Sequence, residues 1–182
     1  ERRNQMLQLG FTPTENTLLT GTYERSRGEA AYADRMMDGS KFDRDAWNVR
    51  FVQRNITPWF TELELRYGQS KIDHVMDTYS MRYLSMMGNQ VKKAMNPKRE
   101  TNTGHLKATF DWPDINLQTG IDYMRDKHLS RMEMKGEGYT HKPYQPQQNF
   151  TQWGGFVEGA WTASDSRKFI SGYRYDEVKA EY

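Results

Sequence analysis

One triplet in the chain combines two ligand types suited to a soft metal ion: His74-Val75-Met76. On an extended strand, residues two apart share a face and lie roughly 7 Å apart. An imidazole nitrogen and a thioether sulfur at that spacing can grip one copper ion, with further ligands from elsewhere. Thioethers select Cu(I) over harder ions such as Mg, Ca and Mn. Methionine is abundant, 11 of 182 residues, which gives the triplet company. Eight of the others gather at Met36-Met37, Met81, Met86-Met87, Met95, Met132 and Met134, in or beside stretches that read as loops. Methionine ordinarily fills gaps in a core, and loops folded over one another can use it so. Soft-metal capture is the functional alternative.

Other chemistry is thinly represented. The absence of cysteine removes disulfides, thiolate zinc sites and cysteine nucleophiles from this segment. There is no Ser-His-Asp spacing with supporting context, no phosphate-binding glycine loop and no H-E-x-x-H, so the chain does not read as an enzyme. His105 is expected on a solvated inner face, and His128 and His141 in or beside a loop, with His141 a secondary copper contact at most. A net charge of +2, with basic and acidic residues interspersed, implies no nucleic-acid partner. Asn55-Ile56-Thr57 matches a glycosylation pattern but sits at a short turn, where it carries no meaning.

The triplet must be positioned by strands. From Trp59 to Gly68, odd positions are Trp59, Thr61, Leu63, Leu65 and Tyr67, and even ones include Glu62, Glu64 and Arg66. Leu106, Ala108, Phe110 and Trp112 alternate with His105, Lys107 and Asp111, and similar patterns follow from Ile115, Trp153 and Phe169. Period-two alternation marks strands with one apolar and one polar face. Eight strands result, at about 2–11, 17–26, 45–55, 59–76, 102–112, 115–128, 150–163 and 168–180. The strand from Trp47 is the least clean, because Val52 is out of phase. If alternation runs unbroken to the triplet, His74 and Met76 share the face of Glu62, Glu64 and Arg66. A bulge between Gly68 and Asp73 would reverse that.

Connections between strands alternate in length. Short turns fall near Pro13, Pro58, Pro113 and Asp165; long polar excursions fall at about 26–44, 77–101 and 129–149. Tight turns on one edge and long loops on the other characterise an antiparallel transmembrane β-barrel, with short periplasmic turns and long extracellular loops. Only 36% of residues are hydrophobic, which suits a barrel with a polar lumen better than a solid core. No run of about 20 apolar residues offers a membrane helix. Phe11, Trp59 and Trp112 beside the short turns fit an interfacial girdle. A soluble sandwich is the competing fold, but it rarely confines loops of about 20 residues to one edge. The charged inner face and the strand running up to Tyr182 favour consecutive strands from a wider barrel. Residues 1–182 then form one partial barrel domain cut from a longer protein.

The stretch from Trp59 to Asp77 (WFTELELRYGQSKIDHVMD), with Met6–Phe11 and Gly154–Glu158, resembles the TonB-dependent copper receptors of proteobacterial outer membranes, the OprC/NosA type. The resemblance covers the whole chain as an interior portion of the barrel. It implies a 22-stranded barrel closed by an N-terminal plug, with energy delivered by the TonB complex. It also implies a copper site in which an H-x-M pair on the barrel meets a Cys and a Met of the plug; His74 and Met76 would be the barrel half. Plug and TonB box lie outside this sequence. The expected function is binding and import of copper by an outer-membrane receptor of a Gram-negative bacterium, in contact with outer-membrane lipid. Two alternatives stay open: a TonB-dependent receptor for a siderophore or other chelate, and a structural or adhesive outer-membrane barrel.

Overall fold

A computed structural model describes residues 1–81 and 92–181, and these form a single eight-stranded antiparallel sheet. The strands are β1 (Arg2–Thr14), β2 (Thr17–Gly28), β3 (Asp38–Arg54), β4 (Phe60–Asp77), β5 (Ala94–Asp111), β6 (Ile115–Glu133), β7 (Gln145–Ser164) and β8 (Arg167–Glu181). Each pairs only with its chain neighbours, so β1 and β8 are the two edges of an open wall. The short connections at Glu15-Asn16, Asn55–Trp59, Trp112–Asp114 and Asp165-Ser166 share one end, and the long ones share the other. At the short end Asn55 adopts a left-handed φ of 51° and its Nδ2 donates to Asn16 Oδ1 at 2.8 Å, tying two turns together.

All eight expected strands are present, but at the long-loop end they run further than alternation predicts. β3 begins at Asp38 rather than near residue 45, and β5 at Ala94 rather than near 102. The loops shrink accordingly, to 29–37, 78–93 and 134–144. The physical reason is that the strands continue past the apolar band, where both faces meet polar surroundings and period-two hydrophobicity has no cause to persist. Met95 and Met132, expected in loops, therefore lie in β5 and β6, and His128 lies within β6. Met36, Met37, Met81 and Met134 do lie in loops. Met86-Met87 falls outside the described residues.

The apolar side chains face outward instead of forming a core. Register aligns Phe51, Leu65, Leu106 and Ile121 across β3 to β6 in one outward row, and Leu9, Ile121 and Tyr173 are 65%, 51% and 68% exposed. Aromatic rings bound this band. Near the short turns, Trp59 stacks near Phe110 and Trp112 with centroids 6.1 and 6.5 Å away. Toward the long loops, Trp47 meets Tyr67 at 5.5 Å and Tyr123 meets Trp153 at 4.6 Å. Two girdles flanking an uncharged band are what a barrel needs on its lipid face. Buried apolar residues are few among those described (Ala46, Val52, Val75 and Ala94), and buried polar ones include Glu64, Asn96 and Asp126. Val52, out of phase in the sequence, is fully buried on the inner face opposite Glu64.

Candidate metal centre on the inner wall

The inner face is a continuous field of paired charges. Glu64, only 2% exposed, receives Arg50 Nε and Nη2 at 3.1 Å each and also pairs with Arg66. Asp122 accepts from His105 Nδ1 at 2.6 Å and from Arg174 Nη1 at 2.8 Å. Higher on the wall Asp126 accepts from Arg99 Nε at 2.9 Å and Thr101 Oγ1 at 2.8 Å, with His128 Nε2 3.0 Å away. A buried carboxylate needs such partners, because an unpaired buried charge is costly. His105 does face inward, as its parity requires, but it is engaged with Asp122 rather than merely solvated.

Against this background His74 stands out. β4 pairs with β3 and β5 without a bulge on β4 between Gly68 and Asp77; the one irregularity near the triplet is an extra residue on β3 between Gly39 and Lys41. Parity therefore carries through, and His74 and Met76 share the inner face with Glu62, Glu64 and Arg66. The imidazole is half-buried and stacks on Phe42, centroids 4.1 Å apart and planes 29° apart. Its Nε2 is buried with no hydrogen-bond partner among the described residues. The backbone is pinned behind it: Asn96 Nδ2 donates to the His74 carbonyl at 2.8 Å and to Asp73 Oδ1 at 2.6 Å, while Arg131 Nε and the Tyr144 hydroxyl hold Asn96 Oδ1 at 2.8 and 2.6 Å. This part of β4 lies beyond the Tyr67 girdle, outside the membrane-spanning band. Burial lowers the His74 pKa from its ordinary value, only partly opposed by the nearby Asp73 carboxylate. The ring is thus neutral at neutral pH, the form that ligates metal.

Met76 is one of three methionines in a row. Met76 pairs in register with Met95, and Met95 with Met132, so three thioethers sit on adjacent strands on one face. Directly opposed residues on an antiparallel pair bring their Cβ atoms to about 4.5–5.5 Å. Half of this row was countable from sequence: the tight Trp112–Asp114 turn sets the β5–β6 register and puts Met95 opposite Met132. The β4–β5 half was not, because a long loop joins those strands. Beside His74 the inner face opens into a hollow of about 600 Å³ lined by Ser26, Tyr32, Phe42, Arg44 and Ile72. Among the described residues no cluster of three His, Asp or Glu side chains is arranged to hold a metal, so any metal held here would rest on imidazole and thioether. His141 lies in a 3-10 turn at Tyr139–His141.

Two solved structures share this architecture. The copper transporter OprC is 32% identical, superposes with a TM-score of 0.88, and the match covers 98% of this chain and 29% of that one. The alcaligin outer-membrane receptor FauA from Bordetella pertussis is 17% identical with a TM-score of 0.58, covering 100% of this chain and 29% of that one; at that identity it speaks for the fold alone. The chain is a section of the barrel wall of a TonB-dependent receptor. No protein-family model and no curated protein matches it. The chain spans under a third of the length of either solved receptor. As a TonB-dependent receptor wall it resides in the outer membrane, its short turns at the periplasmic end and its long loops outside. Both solved structures are a transporter and a receptor, not enzymes.

Proposed function

We propose that this TonB-dependent receptor binds and imports copper, with His74 and Met76 as the barrel's ligands. The observation that carries the reading is the buried, unpartnered Nε2 of His74 on an unbroken strand that also presents Met76 to the inner face. The likeness to a copper transporter supports it. The remaining ligands come from a plug that closes the complete barrel of 22 strands, and rearrangement of that plug, driven through TonB, releases the ion inward. Met95 and Met132 extend the sulfur surface sideways from Met76 across β5 and β6 and receive the ion as it arrives from the loops. Thioethers carry no proton to lose, so the row binds soft Cu(I) without competing with acid.

The test is copper bound per full-length receptor, measured after desalting, in the parent and in His74→Ala and Met76→Ala variants. Each substitution is expected to abolish tight retention. Undiminished stoichiometry and affinity in both would reject the assignment. Met95→Leu with Met132→Leu is expected to leave that retained ion in place and to slow loading at low Cu(I).

A further inference from the structure

The backbone of His74 faces a residue that cannot hold it. Asp73 pairs with Lys98 and Met76 with Met95, so the register sets Pro97 across from His74. In an antiparallel ladder every second pair exchanges hydrogen bonds, and just above, Thr78 N donates to Lys93 O at 3.1 Å. Counting down from that bond, His74 and Pro97 occupy a bonded position, where residue 97 should donate to the His74 carbonyl. Proline has no N–H to give. The neighbouring side chain supplies the missing bond: Asn96 Nδ2 reaches the His74 carbonyl at 2.8 Å.

Asn96 is only 1% exposed, and its amide is fully committed. An asparagine side chain offers two N–H donors and two acceptor sites. Nδ2 donates to Asp73 Oδ1 as well as to His74, at 2.6 Å, and Oδ1 accepts from Arg131 Nε at 2.8 Å and from the Tyr144 hydroxyl at 2.6 Å. Turned over, the amide would set oxygen against oxygen at both His74 and Asp73, so the donors on Arg131 and Tyr144 fix its orientation. Those donors belong to the seat of the 134–144 connection. Arg131 Nη1 donates to Thr140 O at 3.1 Å, and its guanidinium carbon lies 5.1 Å from the Tyr139 ring centroid and 4.4 Å from that of Tyr144. Tyr139 and Tyr144 are half-buried in a connection that is otherwise mostly exposed. The connection therefore rests on the wall through the same groups that aim Asn96 at His74.

We infer that Asn96 is a positioning residue for His74, and that it couples the seating of the 134–144 connection to retention of the metal ion. The inference rests on the reading of His74 as a copper ligand. When the connection lifts, the Asn96 oxygen loses the hydroxyl of Tyr144 and the amide is free to turn. The His74 carbonyl then loses its donor, and the imidazole is no longer held in one plane against Phe42. A seated connection thus favours retention and a lifted one favours release. Coupling of this kind is reciprocal: an ion held at His74 steadies the connection by as much as the seated connection tightens the site.

The experiment uses the full-length receptor. Cu(I) affinity is measured by chelator competition, and hydrogen–deuterium exchange of the 134–144 amides is followed with and without saturating Cu(I), in the parent, Tyr144→Phe, Asn96→Leu and His74→Ala. Tyr144→Phe keeps the ring beneath Arg131 and removes one hydrogen bond, so affinity is expected to fall roughly 2- to 10-fold. Asn96→Leu keeps the volume and removes all four bonds, for a fall of roughly 10- to 100-fold. Cu(I) is expected to slow exchange across 134–144 in the parent, less in Tyr144→Phe, and not at all in Asn96→Leu. A purely structural role would leave that slowing intact in every variant that folds, and Tyr144→Phe carries both readouts by itself where Asn96→Leu fails to fold. Parental affinity in Tyr144→Phe and in Asn96→Leu, or a parent whose 134–144 exchange is indifferent to Cu(I), would overturn the inference while leaving His74 a ligand. Unchanged affinity in His74→Ala would instead overturn the copper reading, and the coupling with it.

Discussion

Phe42 lies face to face with His74, ring centroids 4.1 Å apart, on the inner side of β3 and β4. The room for that ring is made by Gly39: a Cβ built there would fall 1.9 Å from a Phe42 ring carbon. The unbroken register from Arg54 opposite Glu62 up the strands places Phe42 opposite His74, and the extra residue on β3 between Gly39 and Lys41 then places Gly39 opposite Met76. A glycine, an aromatic ring and an imidazole therefore form one packed unit whose geometry fixes the plane of the candidate ligand.

Gly39→Ala is expected to drive Phe42 out of its stacked position. An off-rotamer displacement of a side chain costs about 0.5–1.5 kcal/mol, so copper affinity should fall roughly 2- to 10-fold. Chelator competition on the full-length receptor measures this. Adding Phe42→Ala should relieve the clash and recover part of the loss; an alanine at 39 that leaves affinity untouched would show that the stacked ring does not orient His74.

Copper affinity should be level near neutral pH and decline on acidification. The metal needs neutral imidazole, and burial moves the His74 pKa below its ordinary value. Because the pKa is lowered, proton competition begins only below about pH 6.5 and not above it. Competition titrations from pH 7.5 to 4.5 would show a decline confined to the acid end, absent in His74→Ala. Steady weakening already between pH 8 and 7 would contradict a neutral, depressed imidazole.

Glu64→Ala should lower barrel stability. The carboxylate is almost fully buried between Arg50 and Arg66, whose side chains are 33% and 56% exposed. Solvent around the two guanidinium groups reduces the penalty below that of a fully buried broken pair, leaving about 1–3 kcal/mol. Urea unfolding of the full-length receptor in lipid vesicles gives the value. Glu64→Gln should cost less, since it keeps hydrogen-bonding capacity.

Leu65→Arg should be more damaging than any charge change above the girdle. Leu65 occupies the middle of the outward row with Phe51, Leu106 and Ile121. A lipid-facing arginine at mid-depth costs about 2–4 kcal/mol, falling toward zero near the interface. Folding yield into phospholipid vesicles should drop sharply for Leu65→Arg and stay near that of the parent for Gln69→Arg.

Alternation alone determined the strand number, the sorting of Leu65 from Glu64, and the end of the wall at which each connection lies. Those follow from the side-chain period of two and from a lipid face that tolerates no charge, both local properties of a strand. It also put His74 and Met76 on the inner parity, since an unbroken strand needs no distant information. Where the strands leave the membrane, that constraint lapses, and the added lengths of β3 and β5 could not be seen. Only the tertiary structure decided that Met95 and Met132 join Met76 in a row, because the register across the 78–93 loop is set by pairing rather than by counting. The same holds for Gly39 opposite Met76, which depends on one additional residue in a neighbouring strand.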